Sequence, residues 1–191
     1  MDADDEREVE MRALLVYESM FGSTAAVSEA VAAGLRDAGL EVEVQEVRSA
    51  PAARDVAFDL LVVGGPTHAF SLSRPSTRAE AVRQGAGAEL AATGLREWLE
   101  ALGPREDAAR RPAAAFDTRV TKVRNLPKAA STRAAHLLRR HGYRLVSRPT
   151  PFLVDDTQGP LVEGELERAR AWGGEIARAA AAPPTPSSVA S

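Results

Sequence analysis

The segment of this 191-residue chain best suited to chemistry is Tyr17-Glu-Ser-Met-Phe-Gly-Ser-Thr24, which gathers three hydroxyls around a glycine. An apolar run, Ala13–Tyr17, stops where the segment begins, and a helical repeat starts where it ends. The segment is therefore the turn from a buried strand into a helix. Free backbone N–H groups at a helix start, the positive end of the helix dipole and the hydroxyls of Ser19, Ser23 and Thr24 together suit a phosphate. Met20 and Phe21 lie inside the run, and Gly22 allows close backbone approach. No Lys or Arg lies in the turn, and it matches neither G-x-x-x-x-G-K-[ST] nor G-x-G-x-x-G. A monophosphate ester suits it better than a triphosphate. Taken alone, the run is equally an ordinary hydroxyl-capped turn.

A second segment, Gly64-Gly-Pro-Thr-His-Ala-Phe70, leaves the other continuously apolar run, Leu60–Val63. Continuous apolar runs belong to central parallel strands covered on both faces. In a 2-1-3-4-5 sheet these two strands flank the topological switch point, so their carboxyl ends open one crevice. A ligand with its phosphate on the first turn would extend across Gly65, Pro66, Thr67, His68, Ala69 and Phe70. Thr67 offers polar contacts, and Phe70 or His68 a flat surface; His68 is also a candidate proton donor. Two converging loops are harder to explain as mere chain reversals than one.

The elements that must hold these loops alternate between strand and helix. Glu41–Val47 alternates apolar and polar residues as an edge strand does, while Pro112–Phe116 and Tyr143–Val146 are shorter strand candidates. Pro149 and Pro151 interrupt any continuation toward Phe152–Val154, so the last strand is broken or lies at the other edge. Helices are expected over 23–38, 95–102, 129–140 and 163–182, the first with Val27, Val31 and Leu35 on one face and a stop at Gly39. Residues 68–94 are too long for a simple loop and predict a partly helical insertion near the strand ends. The whole reads as a doubly wound, five-stranded parallel α/β sheet with helices on both faces.

Composition bounds the function. The chain has no cysteine, which removes disulfides, thiolate metal sites and cysteine nucleophiles. His68, His136 and His141 do not share a helix face, so a metal site is not expected. No apolar run approaches the roughly 20 residues of a membrane helix, and the acidic start has the wrong charge for a signal peptide, so a cytoplasmic location without a membrane span is expected. Residues 1–10 and 183–191 are expected to be disordered tails around a domain at 11–182. From Thr118 to Val154 there is no acid against nine basic residues, but no nucleic-acid motif or interleaved aromatic accompanies them.

On Ser19–Thr24 and Gly64–Thr67, the chain resembles the flavodoxin-like family over roughly residues 11–180. The resemblance implies that flavin mononucleotide (FMN) is held in the crevice, its phosphate on the first run and its ring over the second. It also implies a third loop at the pyrimidine edge, Phe116, Asp117, Thr118 and Arg119, ending at Val120. Here the sequence departs from the family, because no aromatic residue follows Phe116 to stack on the outer ring face. A cation there, Arg119 or Lys122, would raise the reduction potential. The function implied is electron transfer or flavin-dependent reduction, with a redox protein or a quinone-like molecule as partner. The alternative is a flavin-free binding module on the same fold.

Overall fold

The computed structural model describes residues 11–52, 55, 57–68, 70–103, 111–123 and 129–183. The expected tail at 1–10 and residues 184–191 of the other lie outside them, as does Ala69. The first strand, β1 (Arg12–Tyr17), leads into α1 (Ser23–Asp37) and β2 (Glu41–Glu46). Next come β3 (Leu60–Pro66), α2 (Pro75–Arg83) and α3 (Leu95–Glu100). Then follow β4 (Pro112–Val120), α4 (Ala130–Arg140), β5 (Arg144–Leu145), β6 (Thr150–Val154) and α5 (Glu165–Ala181). The 68–94 insertion is partly helical, holding α2 and a short 3-10 turn at Ala88–Ala91.

The strands pair in parallel in the order β2-β1-β3-β4-β5, and β6 also pairs with β4. The fifth position is thus shared by two strands. β5 pairs with Pro112 and Ala113 at the start of β4, and β6 pairs with Phe116 through Val120 at its end. The break falls at residues 146–149, where Pro149 cannot donate to a ladder, while Pro151 is accommodated within β6 opposite Asp117. This arrangement bears out the 2-1-3-4-5 parallel order, to which β6 adds a sixth strand among the described residues. It corrects one boundary: β4 runs four residues beyond Phe116, because β6 and the end of β3 pair with that stretch on both sides.

Alternation along the central strands builds two cores. Leu14, Val16, Leu61 and Val63 face α3 and α4, where they meet Leu95, Leu99, Leu137 and Leu138. Leu15, Val62 and Phe116 face α1 and α5, packing on Val27, Val31, Trp172 and Ile176. Residues buried on both faces need no polar alternation, which explains why β1 and β3 read as continuous apolar runs. The two layers fix the carboxyl ends of β1, β3, β4 and β6 side by side.

Candidate functional site

At those ends lies a cleft whose enclosed part measures about 100 Å³. The first turn contributes Ser19, Met20, Phe21, Ser23 and Thr24. Pro66, Thr67 and His68 come from the end of β3, and Thr118, Arg119 and Val120 from the end of β4. Val154 at the end of β6 and Thr157 beyond it complete it.

Gly22 adopts φ +93° immediately before α1, a left-handed conformation that favours glycine, and a side chain there would meet no protein atom within 4 Å. Its role is therefore to turn the chain into the helix rather than to relieve crowding within the protein. The turn leaves the Ser19 hydroxyl accepting from the Gly22 and Ala25 amides at 3.2 and 3.3 Å. The Ser23 and Thr24 amides have no hydrogen-bond partner among the described residues. Unpaired N–H groups at the positive end of a fifteen-residue helix suit an anion. Thr24 is buried, and its hydroxyl meets that of Thr118 at 2.8 Å, tying the first turn to β4.

The start of α4 is held from the same strand ends. Its leading residue, Ala129, offers no side-chain cap. Thr67 Oγ1 accepts the Ala130 N–H at 3.0 Å, and Asp117 Oδ2 accepts the Ser131 N–H at 3.1 Å and the Ser131 hydroxyl proton. Asp117 is fully buried, and Arg119 grips both its oxygens at 2.7 and 2.6 Å. This bidentate pair is strong and directional. It also corrects the picture of Arg119 as a cation offered to the cleft, since a carboxylate neutralises it at contact distance. Lys122 is exposed and does not line the cleft, while Arg124 and Lys128 lie outside the described residues.

Three further sequence-derived candidates fall elsewhere. Phe116 sits in the core, its ring edge-on to Phe152 and Trp172 with centroids at 5.8 and 5.9 Å. Gly64 makes that possible, because a Cβ there would lie 2.0 Å from the Phe116 ring. Gly65 belongs to β3 and is buried against Leu95 and Leu72. Phe70, with φ +63° and about half its surface exposed, lines a neighbouring groove instead. His68 does line the cleft. Burial, and then the charge of Arg78, push its imidazole below the ordinary histidine range, so it is neutral near pH 7; its Nε2 is buried and unpartnered. Behind the loops, buried Glu18 accepts the Leu95 N–H at 2.8 Å; burial pushes its carboxyl up, against the opposing pull of Ser73, Leu95 and Arg78.

Sequence reasoning missed Val154, Thr157 and the loop that carries them. Gly159 in that loop would place a Cβ 3.3 Å from Ser23 Oγ, so 155–160 packs over the phosphate-type turn. The cluster Asp155-Asp-Thr-Gln-Gly-Pro160 is a turn signal, and it identifies the loop once Phe152–Val154 is accepted as a strand. Among the described residues no group of carboxylates and histidines could hold a metal, and no helix is long and apolar enough to cross a membrane.

No family model matches the chain, and no curated protein matches it. Solved structures do. An oxidised flavodoxin 2 from Bacillus cereus superposes with a TM-score of 0.64 at 20% identity, over 87% of this chain and 98% of that one. A flavodoxin from the domain Archaea gives 0.63 at 19% identity, over 89% and 99%. The flavodiiron core of Synechocystis gives 0.58 at 15%, over 89% of this chain and 36% of that one. With the 2-1-3-4-5 parallel order and helices on both faces, these likenesses establish that the chain has the flavodoxin-like fold.

Proposed function

We propose that the cleft binds FMN and that the protein carries out electron transfer or flavin-dependent reduction, with a redox protein or a quinone-like acceptor as the other reactant. The observation that carries this reading is the pair of unpartnered amides, Ser23 and Thr24, at a helix start sharing one cleft with the ends of β3 and β4. They would hold the phosphate with the Ser19 and Ser23 hydroxyls. Met20, Phe21, Pro66 and Val120 supply the apolar surface a flat ring needs, and His68 a neutral imidazole with a free Nε2. Among the described residues no carboxylate lines the cleft. Bound in this place, FMN would supply one- or two-electron redox chemistry. The chain's own residues would bind and orient it, with Gly159 of the 155–160 loop set close to Ser23 at the phosphate end. The purified protein should be yellow, release FMN on denaturation and titrate reversibly under anaerobic conditions. A cytoplasmic location belongs to the same proposal.

One observation favours the second reading, a flavin-free binding module. β4 brings no aromatic side chain to the cleft, because Phe116 is turned into the core. A colourless protein that takes up neither FMN nor riboflavin would select that reading.

A further inference from the structure

Beside the cleft lies a second concavity of about 600 Å³, between the segment leading into α2 and the exposed side of α4. Its volume falls within the range of about 300–1,000 Å³ that accommodates small molecules. Phe70 and Ser71 form one lip, Arg74 stands at the start of α2, and Thr132, Arg133 and His136 come from α4. Among the described residues no carboxylate lines it.

Two features distinguish this groove from ordinary surface. The first is its charge. Arg74 has no carboxylate partner among the described residues, and Arg133 has only Glu100 among them, at 4.0 Å, the pair partly exposed and Arg133 Nε buried without a partner. Arg96 lies behind the lip, donating to Ser71 Oγ, the Leu72 carbonyl and the Ser73 carbonyl at 2.8 to 3.0 Å. Burial, then the charges of Arg133 and Arg74, lower its guanidinium from the ordinary arginine value, with Glu100 and Glu97 opposing, so both groove arginines lie near enough for Arg96 to feel their charge. The second feature is Phe70. His68 and Ser71 exchange both backbone hydrogen bonds, at 2.9 and 3.0 Å, and close a tight turn that holds Phe70 at φ +63° with 51% of its surface exposed. Glycine would adopt that backbone without strain, so a phenylalanine there, half its surface exposed, carries a backbone cost that its partial burial offsets only in part.

We propose that this groove binds a small aromatic molecule carrying an anionic group such as a carboxylate or sulfonate, its ring on Phe70 and its charge between Arg74 and Arg133. Concavity favours a small molecule over a flat protein surface, and Arg74, without a carboxylate partner among the described residues, together with Arg133, reached by Glu100 only at 4.0 Å, sets the sign of its charge. Thr67 links the two sites: it lines the cleft, and its hydroxyl accepts the N–H of Ala130, next to Ala129 of the groove. The groove's existence does not rest on flavin binding. Its role as the seat of the second reactant does.

The test is calorimetric titration of the flavin-free full chain with anthraquinone-2-sulfonate, against neutral 2-(hydroxymethyl)anthraquinone. The sulfonate should bind at least about tenfold more tightly, with an advantage that shrinks in high salt. Arg74→Gln and Arg133→Gln should each weaken it about three- to tenfold, and Arg36→Gln, at the far end of α1, should not. Phe70→Gly is the decisive variant, because it should melt at or above the wild-type temperature while losing about tenfold in affinity. Equal affinity for the two anthraquinones, losses no larger than that of Arg36→Gln, or binding of an oligoglutamate peptide alone would each overturn the proposal. Sulfonate binding by a protein that never takes up FMN would keep the groove and end the redox reading; uptake of FMN without sulfonate binding would do the reverse.

Discussion

Replacing Arg119 by Gln is expected to damage the fold more than it alters any bound cofactor. Arg119 is 7% exposed and Asp117 is fully buried, and the two share a bidentate contact at 2.6 to 2.7 Å. Without the guanidinium, Asp117 keeps, among the described residues, only the Ser131 N–H and hydroxyl as donors. Breaking one side of a buried pair costs about 3–5 kcal/mol, because the remaining charge is desolvated without compensation. For a chain of this size that corresponds to a melting shift of about 6–20 °C. The double variant Asp117→Asn/Arg119→Gln removes the stranded charge and should recover about 1–3 kcal/mol relative to additivity. Urea unfolding of the four species of this cycle measures both quantities. An unpaired cation about 6 Å from a reduced ring would contribute about 3 kcal/mol at an effective dielectric of about 20, or about 60 mV for a two-electron couple. Paired to Asp117, Arg119 should shift the midpoint of FMN-loaded protein by well under half of that. A cost below about 1 kcal/mol for Arg119→Gln with no coupling, or a full 60 mV shift, would refute the reasoning.

Glu18→Gln should stabilise the protein increasingly as pH rises. The folded carboxyl titrates above its ordinary value of 4.5, so the folded state holds the proton longer and the wild type loses stability from about that pH upward. Melting curves of both proteins across pH 4 to 8 should diverge, and parallel curves would contradict the burial argument. Gly22→Ala should cost about 1–2 kcal/mol through its left-handed backbone alone, as read by urea midpoints, since its Cβ would meet nothing. Gly64→Ala should cost more, about 1–3 kcal/mol from overpacking the Phe116 ring. Near-ultraviolet circular dichroism should then show altered packing around Trp172.

The central strands and α1 were legible in the sequence because burial on both faces leaves continuous apolar runs and because Gly39 ends the helix. The phosphate-type turn was legible for the same reason: a strand end, three hydroxyls and a glycine stand next to one another along the chain. The β4 end was not. Phe116 through Arg119 reads as a loop because the ladder that makes it a strand comes from β6, over thirty residues away and broken from β5 at residues 146–149. The charge of the basic run also misled, since a run counted from Thr118 includes Arg119 but not the buried carboxylate two residues earlier that neutralises it. Phe70 reads as a ring-stacking residue, yet the turn closed by His68 and Ser71 sends it to the groove.

The central claim is that the amides and hydroxyls at the start of α1 hold a phosphate ester in the cleft. Titration of flavin-free protein with FMN and with riboflavin, followed by flavin fluorescence, tests it most directly. The account predicts one FMN per chain, bound at least about tenfold more tightly than riboflavin, with that advantage reduced in Gly22→Ala; charge-assisted hydrogen bonds of about 1.5–3 kcal/mol set this scale. Equal affinities for the two flavins, or binding of neither, would contradict it.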